Sequence, residues 1–551
     1  GKASRDGLDF LAVYIGPTLM APLGWVILRK IIRISNVQRT TTIADFISSR
    51  YGKNISLGSI VTIVCFIGII PYIALQLKAI SESFEIITNG RIQANHNAWF
   101  SDTSLYVVSI MAVFTLLFGA KRLQTSEKHD GMMAAIAFES VIKLLAFIIL
   151  GIFLTYGIFN GFGDLFTQAM NREETRDLLV MPKSTGYREW FWITILSALA
   201  FTLLPRQFHV SVVENTNENH LRKSMWVFPG YLLLINLFVL PVAIGGILIF
   251  GSSGVNADYY LLHIPLHFNQ NTLALIIFIG GISAATSMII VETMALSTMF
   301  SNNLLIPFIV GSERLKDRFA QHLSSISIWS RRLSVVLILT LAYFYYHRLD
   351  QYYSLVSIGL ISFVSVAQFA PALLGGIFWK KGTKAGAISG IVIGFVIWCY
   401  TLVIPSLIGT NASGQLFLTE GPFGFTFLKP SALFGLEGFS PISHAMFLSM
   451  FFNIIAYITV SLNTTQSVIE KNQSEVFVDI FKYSAVYEST IVLKGKASLP
   501  DLESLLAQFF GIDRAKQVIR LFAKKYEIDI SNPGLPADPR IIAYAERLMA
   551  G

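Results

Sequence analysis

The chain has 551 residues, of which 53% are hydrophobic and only 14% are charged, and its formal net charge is +8. A soluble chain of this length would need far more charge to cover its surface, so the composition predicts a polytopic membrane protein. The segment from Glu470 onward carries 11 Lys+Arg and 11 Asp+Glu, so the positive excess lies wholly in the apolar part. That distribution fits basic loops beside a membrane and argues against nucleic-acid binding.

The residues that could support catalysis or metal binding do not form recognisable motifs. Cys65 and Cys399 lie in apolar runs without metal-ligand spacing, which is typical of small buried residues. The sequence contains no phosphate-binding glycine loop and no nucleophile elbow. We therefore expect no catalytic residue and no cofactor apart from a coupling ion. The start at Gly1-Lys-Ala-Ser-Arg-Asp6 is already close to a span and is expected to lie inside a longer protein.

Taken in chain order, the apolar runs predict eleven membrane-spanning helices. Each approaches or exceeds the ~20 residues that a bilayer requires, except the eighth. They are expected at 8–28, 55–88, 103–120, 130–158, 189–205, 224–250, 270–307, 333–347, 351–379, 385–408 and 441–463.

The loops between these helices differ in basic residues. If residue 1 lies outside, the inner loops hold 20 Lys+Arg and the outer loops hold 7. This bias predicts that the inner loops and the C-terminus are cytoplasmic. The inner loops are 29–54, 121–129, 206–223, 311–332 and 380–384.

From about Val468 the chain becomes polar and charge-balanced, which predicts a small cytoplasmic helical domain over 470–551 beside a membrane domain over 1–465. Ser498-Leu-Pro-Asp501 provides a capping hydroxyl and an acidic first turn, and Gly511 closes that helix. A second helix is expected from about Asp513 to Glu527, and a third from Pro539.

Charged residues inside apolar spans are functional candidates, because burying a charge in a membrane is costly unless the charge is paired or faces water. Glu139 and Lys143 are four residues apart, which permits an ion pair that could be structural or could take part in gating or coupling. Glu292 has no nearby charge in sequence, so a buried partner and a function are equally plausible. Lys78 and Glu82 have the same four-residue spacing near the end of the second span, which favours a rim network over substrate steering.

Two further segments interrupt otherwise apolar helices. Leu203-Leu-Pro-Arg-Gln-Phe-His209 places a proline at the end of the fifth span. It predicts either a simple kink or the broken helix that transporters use to bind substrate. Ser283-Ala-Ala-Thr-Ser287 places hydroxyls in the middle of the seventh span, where they could serve close packing or bind a cation.

Small residues recur after a basic hinge in the segment 376–394. Lys380, Lys381 and Lys384 mark a predicted cytoplasmic loop. Beyond them a glycine recurs every fourth residue, which lets two helix backbones approach closely in lipid. These glycines are Gly386, Gly390 and Gly394.

The same segment closely resembles a signature of the sodium/solute symporter family, the proline, pantothenate and sugar transporters of LeuT-like fold. Phe369-Ala-Pro371 and Thr42-Ile-Ala-Asp-Phe-Ile-Ser-Ser-Arg-Tyr51 also resemble segments of that family. The resemblance covers about 1–465. It implies an all-α polytopic membrane protein with an inverted-repeat fold whose first core helix would precede Gly1.

Other segments resemble one branch, the CbrA-type sensor histidine kinases. These segments are Gly7-Leu-Asp-Phe-Leu-Ala-Val-Tyr-Ile-Gly-Pro17, Ser283-Ala-Ala-Thr-Ser-Met288 and Ala545-Glu-Arg-Leu-Met-Ala-Gly551. In that branch a symporter-like domain is joined through a small helical STAC domain to PAS and kinase modules. The resemblance implies a bacterial inner-membrane protein that acts through downstream kinase modules and a response regulator, the enzymatic part being a histidine kinase outside this chain.

The resemblance also implies site residues. Substrate is expected at Trp192, Ser197, Phe201 and Gln368, and coupling or gating at Glu139, Lys143 and Glu292. The coupling ion is expected at Ala284 and Ser287, with Thr286 as a substitute after a one-residue shift. Met288 occupies a position where the family has a hydroxyl, and a thioether is a poor ligand for a hard cation, so Na⁺ and H⁺ both remain open.

Two functions follow from these observations. The leading one is the sensory or transport module of a two-component sensor histidine kinase, which binds or transports a small nutrient, such as an amino acid. The alternative is an ordinary cation-coupled symporter of an amino acid or similar solute. The helical tail favours the first, because a plain symporter does not need it.

Overall fold

The computed structural model describes most of the chain as helix. The described residues are 1–89, 103–119, 130–180, 186–215, 217–251, 253–312, 323–348, 354–408, 412–482, 499–510, 512–526, 528, 538, 541 and 544. Regular structure within them is entirely helical, which confirms the predicted all-α class. The predicted basic loop 121–129 and nearly all of the predicted third helix of the tail lie outside these residues.

Apolar helices occur at all eleven predicted positions. Eight are long and apolar enough to cross a bilayer singly, two more positions hold bent pairs, and one holds a shorter apolar helix. In chain order, and numbered here as spans 1 to 11, they are Lys2–Gln38, Ile55–Thr88, Thr103–Leu117, Gly131–Ile158, Tyr187–Leu203 with Pro205–Val213, Asn219–Phe250, Asn271–Gly311, Ser325–Arg348, Leu355–Ala367 with Ala370–Phe378, Lys384–Leu407 and Pro441–Asn463.

Shorter helices connect the spans or follow them. They are Ile43–Arg50, Phe162–Met170, Glu173–Leu178, Tyr260–His267, Ala412–Glu420, Val468–Val478, Leu499–Phe510 and Ile512–Lys525. The last two agree with the two predicted helices of the tail, and the first begins with Thr42 as a capping residue that accepts from the Asp45 amide.

The chain divides into two compact units, Gly1–Val478 and Asp479–Gly551. In the second unit the helices Leu499–Phe510 and Ile512–Lys525 bury a small apolar core that includes Leu506 and Ile519. Helix Val468–Val478, most of which the sequence assigns to the tail, belongs to the first unit. The assignment of the tail as a STAC-like domain stays a prediction.

The glycine stripe of span 10 packs against span 11. A Cβ at Gly390 would lie 2.5 Å from Asn453 Oδ1, and Cβ atoms at Gly386 and Gly394 would overlap Ser461 and Gln368. The two helix backbones therefore approach as closely as glycine permits, as the four-residue spacing predicts.

The first unit has one end at which its loops meet around Arg50, here called the Arg50 end. Arg50 is only 1% exposed. Its Nε donates to Gly376 O at 2.7 Å, and one terminal nitrogen donates to Trp379 O at 3.0 Å and to Lys380 O at 3.3 Å. The guanidinium thus caps the carbonyl end of span 9, where the helix dipole favours a cation. Burial lowers the pKa of Arg50 from its usual value.

Tyr51 extends this arrangement to the end of span 11. Its hydroxyl donates to Ala372 O at 2.8 Å and lies 2.9 Å from the Tyr457 hydroxyl. Burial, followed by the neighbouring Tyr457, raises the pKa of Tyr51 well above its usual value, so the phenol stays a neutral donor. The Arg50 end thus joins spans 9 and 11 to the helix Ile43–Arg50.

Candidate functional site

Span 5 is broken near the middle of the bundle. Its halves, Tyr187–Leu203 and Pro205–Val213, meet at an angle of 52°. Leu204 between them has φ −59° and ψ 132°, outside the helical region, and Pro205 lacks the amide that would continue the helix. The break confirms that the proline does more than end the span, and it places Arg206 at the start of the second half.

Glu292 of span 7 is a completely buried charge, with 0% exposure. Neither of its carboxylate oxygens has a partner in hydrogen-bond geometry among the described residues. Its compensating positive group is Arg206, which acts on it through both the guanidinium and the backbone amide. Since a charge in this environment is costly, Glu292 is held there by Arg206 alone among the described charges.

Tyr72 of span 2 borders the same region. It lies within hydrogen-bonding reach of Arg206, and its hydroxyl donates to the Met288 sulfur at 3.5 Å. The Met288 side chain is therefore engaged by a phenol, at the position where the resemblance expects an ion ligand.

Glu139 and Lys143 of span 4 are the other charged residues on which Arg206 acts. Lys143 Nζ lies 3.9 Å from Glu139 Oε1, as their spacing predicts. Glu139 is 6% exposed, its Oε2 has no partner in hydrogen-bond geometry among the described residues, and the Ser287 hydroxyl is directed toward it. Arg206 also acts on both residues of the pair. We call Glu139, Lys143, Arg206 and Glu292 the charge cluster.

The predicted ion-binding residues fall on one stretch of span 7 beside this cluster. The hydroxyls of Thr286 and Ser287 have no hydrogen-bond partner within the described part of the chain. Ser287 faces Glu139, whereas Ala284 offers only its backbone carbonyl. A serine hydroxyl and a carboxylate are therefore the oxygen ligands that the structure brings together here.

The four predicted substrate residues are placed in four different surroundings. Trp192 packs on Phe447 with ring centroids 5.2 Å apart, and Phe201 packs on Phe228 at 5.0 Å. Ser197 donates to Ala12 O at 3.2 Å, where spans 1 and 5 cross.

Gln368, the fourth, lies at the bend of span 9 and is 0% exposed. Its amide donates to Ser449 Oγ at 2.8 Å and its oxygen accepts from Asn453 at 3.0 Å. The structure therefore does not gather the four around one cavity, and their role in binding stays a prediction.

A large cavity is lined by residues at the start of spans 1, 5 and 11, at the end of the bundle opposite Arg50. Its volume is about 930 Å³, and it is lined by both charged and apolar side chains. Asp9, Glu189, Ile193, Ser357, Leu360 and Thr401 are among them. Several of its charged groups are already paired: Trp190 Nε1 donates to Asp9 Oδ1 at 2.6 Å, and the Ser440 hydroxyl donates to Glu189. The cavity is large enough to admit a small solute.

Sequence reasoning assigned no role to Arg206 or Tyr72. Arg206 could have been found, because an arginine directly after a proline in an apolar span must find a partner inside the bundle. Tyr72 carries no such signal, since a tyrosine in an apolar helix is ordinarily a packing residue.

No family model matches the chain. The chain is 27% identical to the uncharacterized symporter YhjB of Bacillus subtilis (strain 168) over 373 residues, which cover 67% of this chain and 69% of that protein. It is 23% identical to the uncharacterized symporter YodF of the same organism over 384 residues, covering 68% and 70%.

The fold is similar to a solved structure, described as the substrate-bound outward-open state of a Na⁺-coupled sialic acid symporter. The TM-score is 0.57 with 9% identity, and 84% of each chain is covered. This likeness confirms the predicted LeuT-like fold. The comparisons support the symporter alternative, and nothing in them supports a kinase link or a STAC domain. The chain is a multi-pass membrane protein of LeuT-like fold that is similar to symporters.

Proposed function

We propose that this chain is a cation-coupled symporter of a small solute. The observation that carries the proposal is the charge cluster, which lies at the break of span 5. Broken helices at membrane depth are where secondary transporters bind solutes and ions. A buried carboxylate without a hydrogen bond is costly, and such groups in membrane proteins mark ion pathways.

The cluster suggests a division of roles. Glu139 and the Ser287 hydroxyl offer oxygens to a coupling cation, with Thr286 and the Ala284 carbonyl close by on span 7. Arg206 and Glu292 connect that position to the second half of span 5, which can move relative to the first because Leu204 is not helical and Pro205 has no amide to donate across the break. Lys143 balances Glu139. The solute would enter through the cavity and approach span 5, where Trp192, Ser197 and Phe201 remain the predicted substrate residues together with Gln368 at the bend of span 9.

The test is uptake by the full chain in proteoliposomes. A panel of radiolabelled amino acids and related small solutes is offered under an inward Na⁺ gradient, an inward H⁺ gradient, or neither. We expect one solute to accumulate only when a cation gradient is present, and accumulation to fail in Glu139→Gln. If no solute is bound or accumulated under any gradient, the proposed function is wrong.

The identity of the ion can be tested at Met288. In Met288→Thr a hydroxyl replaces the thioether, so we expect sodium dependence of uptake to appear or to strengthen. Met288→Leu, which adds no oxygen, is the matched control. An unchanged sodium response in Met288→Thr would count against a cation site at this position of span 7.

The sensory function remains a finer proposal for the same membrane domain. Its support is the resemblance of the tail to linker domains of sensor histidine kinases, together with the presence of a separate compact unit after Val478. In that case a kinase and a response regulator act downstream at the cytoplasmic face of a bacterial inner membrane. Deleting 479–551 in the parent protein should then abolish kinase output and spare uptake, whereas lost uptake with intact kinase output would contradict it.

A further inference from the structure

Helix Val468–Val478 is docked on the Arg50 end of the first unit. Lys30 Nζ donates to Val478 O at 2.8 Å, and Gln38 Nε2 donates to Gln473 Oε1 at 3.0 Å, so the middle and the last residue of this short helix contact span 1. Phe477 is 0% exposed, although the helix as a whole is polar. A polar helix that buries one aromatic ring completely is seated specifically, and is not merely a linker.

The other side of this helix reaches the Arg50 region through Glu470. Glu470 is 2% exposed, and its Oε1 lies 3.8 Å from Lys384 Nζ. Its negative charge also acts on Arg50. Gly52 packs against it so closely that a Cβ there would lie 3.4 Å from Glu470 Cγ. The docked helix therefore supplies an anion to the buried guanidinium that caps span 9.

Phe46 packs between the docked helix and the second half of span 5. Its ring centroid lies 5.4 Å from that of Phe477 and 5.7 Å from that of Phe208, both in edge-on geometry. Phe208 belongs to the second half of span 5, two residues after Arg206. The three rings form a continuous packed path from the docked helix to the segment that carries Arg206 of the charge cluster.

The two ends of span 11 differ in openness. At its first end, Ser440 and Pro441 line the cavity. At its last end, Tyr457 and Ser461 are buried against the Arg50 region and the hinge of span 10. The structure therefore combines an accessible cavity at one end with a closed Arg50 end, and the docked helix is part of that closure.

We propose that helix Val468–Val478 is a latch that holds the Arg50 end closed and whose release lets that end open. The inference rests on the proposed symporter function, in which the two ends of the bundle open in alternation. Release of Phe477 and Glu470 would leave Phe46 packed on one side only and Arg50 without its anion, so the second half of span 5 would be free to move.

The test measures the accessibility of both ends and needs no solute. In the full chain carrying Cys65→Ala and Cys399→Ala, one reporter is placed at the Arg50 end (Ser49→Cys) and another in the cavity (Ser357→Cys). The rate of reaction with a polar maleimide is measured for each reporter in detergent. We expect Phe477→Ala to raise the Ser49→Cys rate by about tenfold or more and to lower the Ser357→Cys rate, because a population shift opens one end as it closes the other.

A milder variant and a matched control accompany this measurement. Glu470→Gln removes only the charge and should shift both rates in the same directions by a smaller factor, which keeps the test valid if Phe477→Ala does not fold. Asn472→Ala, on the exposed face of the same helix, should leave both rates unchanged. Linking Gln38→Cys to Gln473→Cys with a short bifunctional thiol reagent should hold the Ser49→Cys rate at its low value.

Two results would overturn the latch. One is an unchanged Ser49→Cys rate in both Phe477→Ala and Glu470→Gln. The other is a rise at Ser49→Cys without a fall at Ser357→Cys, because that result indicates local loosening alone. Either result can be separated from failure of the proposed function, which is judged by solute uptake and not by labelling.

Discussion

Arg50 and Glu292 are both almost completely buried charged residues, yet they differ in their hydrogen bonding. Arg50 is 1% exposed and donates to three backbone carbonyls. Glu292 is 0% exposed and has no partner in hydrogen-bond geometry among the described residues. The first charge has exchanged most of its hydration for protein hydrogen bonds, and only its Nη1 lacks a partner among the described residues. The second has the nearby Arg206 as its one compensating positive group among the described residues.

This difference separates a structural role from a functional one. A buried charge whose hydrogen bonds are made stabilises one conformation and resists change. A buried charge without them carries a cost that a bound cation, a proton or a movement of Arg206 can relieve. We therefore expect substitutions near Arg50 to reduce stability, and substitutions in the charge cluster to reduce transport.

The largest effect on stability is expected for Arg50→Met. Removing the guanidinium leaves the carbonyls of Gly376, Trp379 and Lys380 buried without their donor, which should destabilise the fold by about 3–5 kcal/mol. The unfolding midpoint in detergent measures this. Arg50→Lys should recover only part of the loss, since an ammonium cannot reproduce the planar fork. A variant as stable as the parent would remove the basis of the comparison.

Gly394→Ala tests whether the glycine stripe of span 10 also contributes to stability. The added methyl would overlap the Gln368 side chain, so we expect a loss of about 1–3 kcal/mol and a lower unfolding midpoint. Gly281→Ala is the matched control, because a Cβ there meets nothing within 4 Å. Equal midpoints for the two variants would mean that the glycine stripe is not held by close contact with Gln368 at the bend of span 9.

Glu292→Gln tests whether the buried carboxylate of the charge cluster acts in transport. Glu292→Gln removes both the desolvation cost of this carboxylate and its attraction to Arg206, so stability should change by no more than about 1 kcal/mol, in either direction. Solute uptake should nevertheless be lost, because the group that responds to Arg206 has become neutral. Unfolding midpoint and proteoliposome uptake are measured on the same preparation, with Glu420→Gln as control. A large fall in the midpoint would assign Glu292 a structural role like that of Arg50.

The smallest effect is expected at Glu218, a partly exposed ion pair at the Arg50 end. Arg33 Nε and Arg29 Nε donate to its carboxylate at 2.7 and 3.2 Å. Burial opposes ionisation of Glu218, but the hydrogen bonds from Arg33 and Arg29 outweigh it and lower its pKa below the usual value. The pair therefore stabilises the fold above the ordinary glutamate pKa, and this contribution is lost as the pH falls through the lowered value.

Glu218→Gln should accordingly lower the unfolding midpoint at neutral pH by the equivalent of about 0.5 kcal/mol. The difference from the parent should shrink at acidic pH, where the carboxylate of the parent becomes protonated. A difference that grew on acidification would contradict the assigned direction of the pKa shift.

The sequence predicts the spans well because a bilayer makes their signal strong. Each needs about 20 apolar residues, and proline and glycine spacing then predict the break after Leu204 and the approach of span 10 to span 11. The Glu139–Lys143 pair is predicted for a similar reason, since four-residue spacing is a local property of a helix.

Contacts between distant segments leave no such pattern. Nothing local indicates that Arg50 reaches residues 376–380, or that Phe46 lies between Phe208 and Phe477. Charge counting treated Arg50 as one basic loop residue among several, and the composition change near Val468 placed the following helix with the tail. Both depend on tertiary packing, which a one-dimensional pattern does not contain.

The packing of spans 10 and 11 has a consequence for how this sequence can change. Gly386, Gly390 and Gly394 pack against Ser461, Asn453 and Gln368. None of these six residues can therefore be replaced by a larger one unless its neighbour becomes smaller. A tolerated larger residue on span 10 would require a smaller one facing it. We therefore expect a selection from a library randomised at these six positions to return combinations in which a larger residue on one helix is accompanied by a smaller residue facing it.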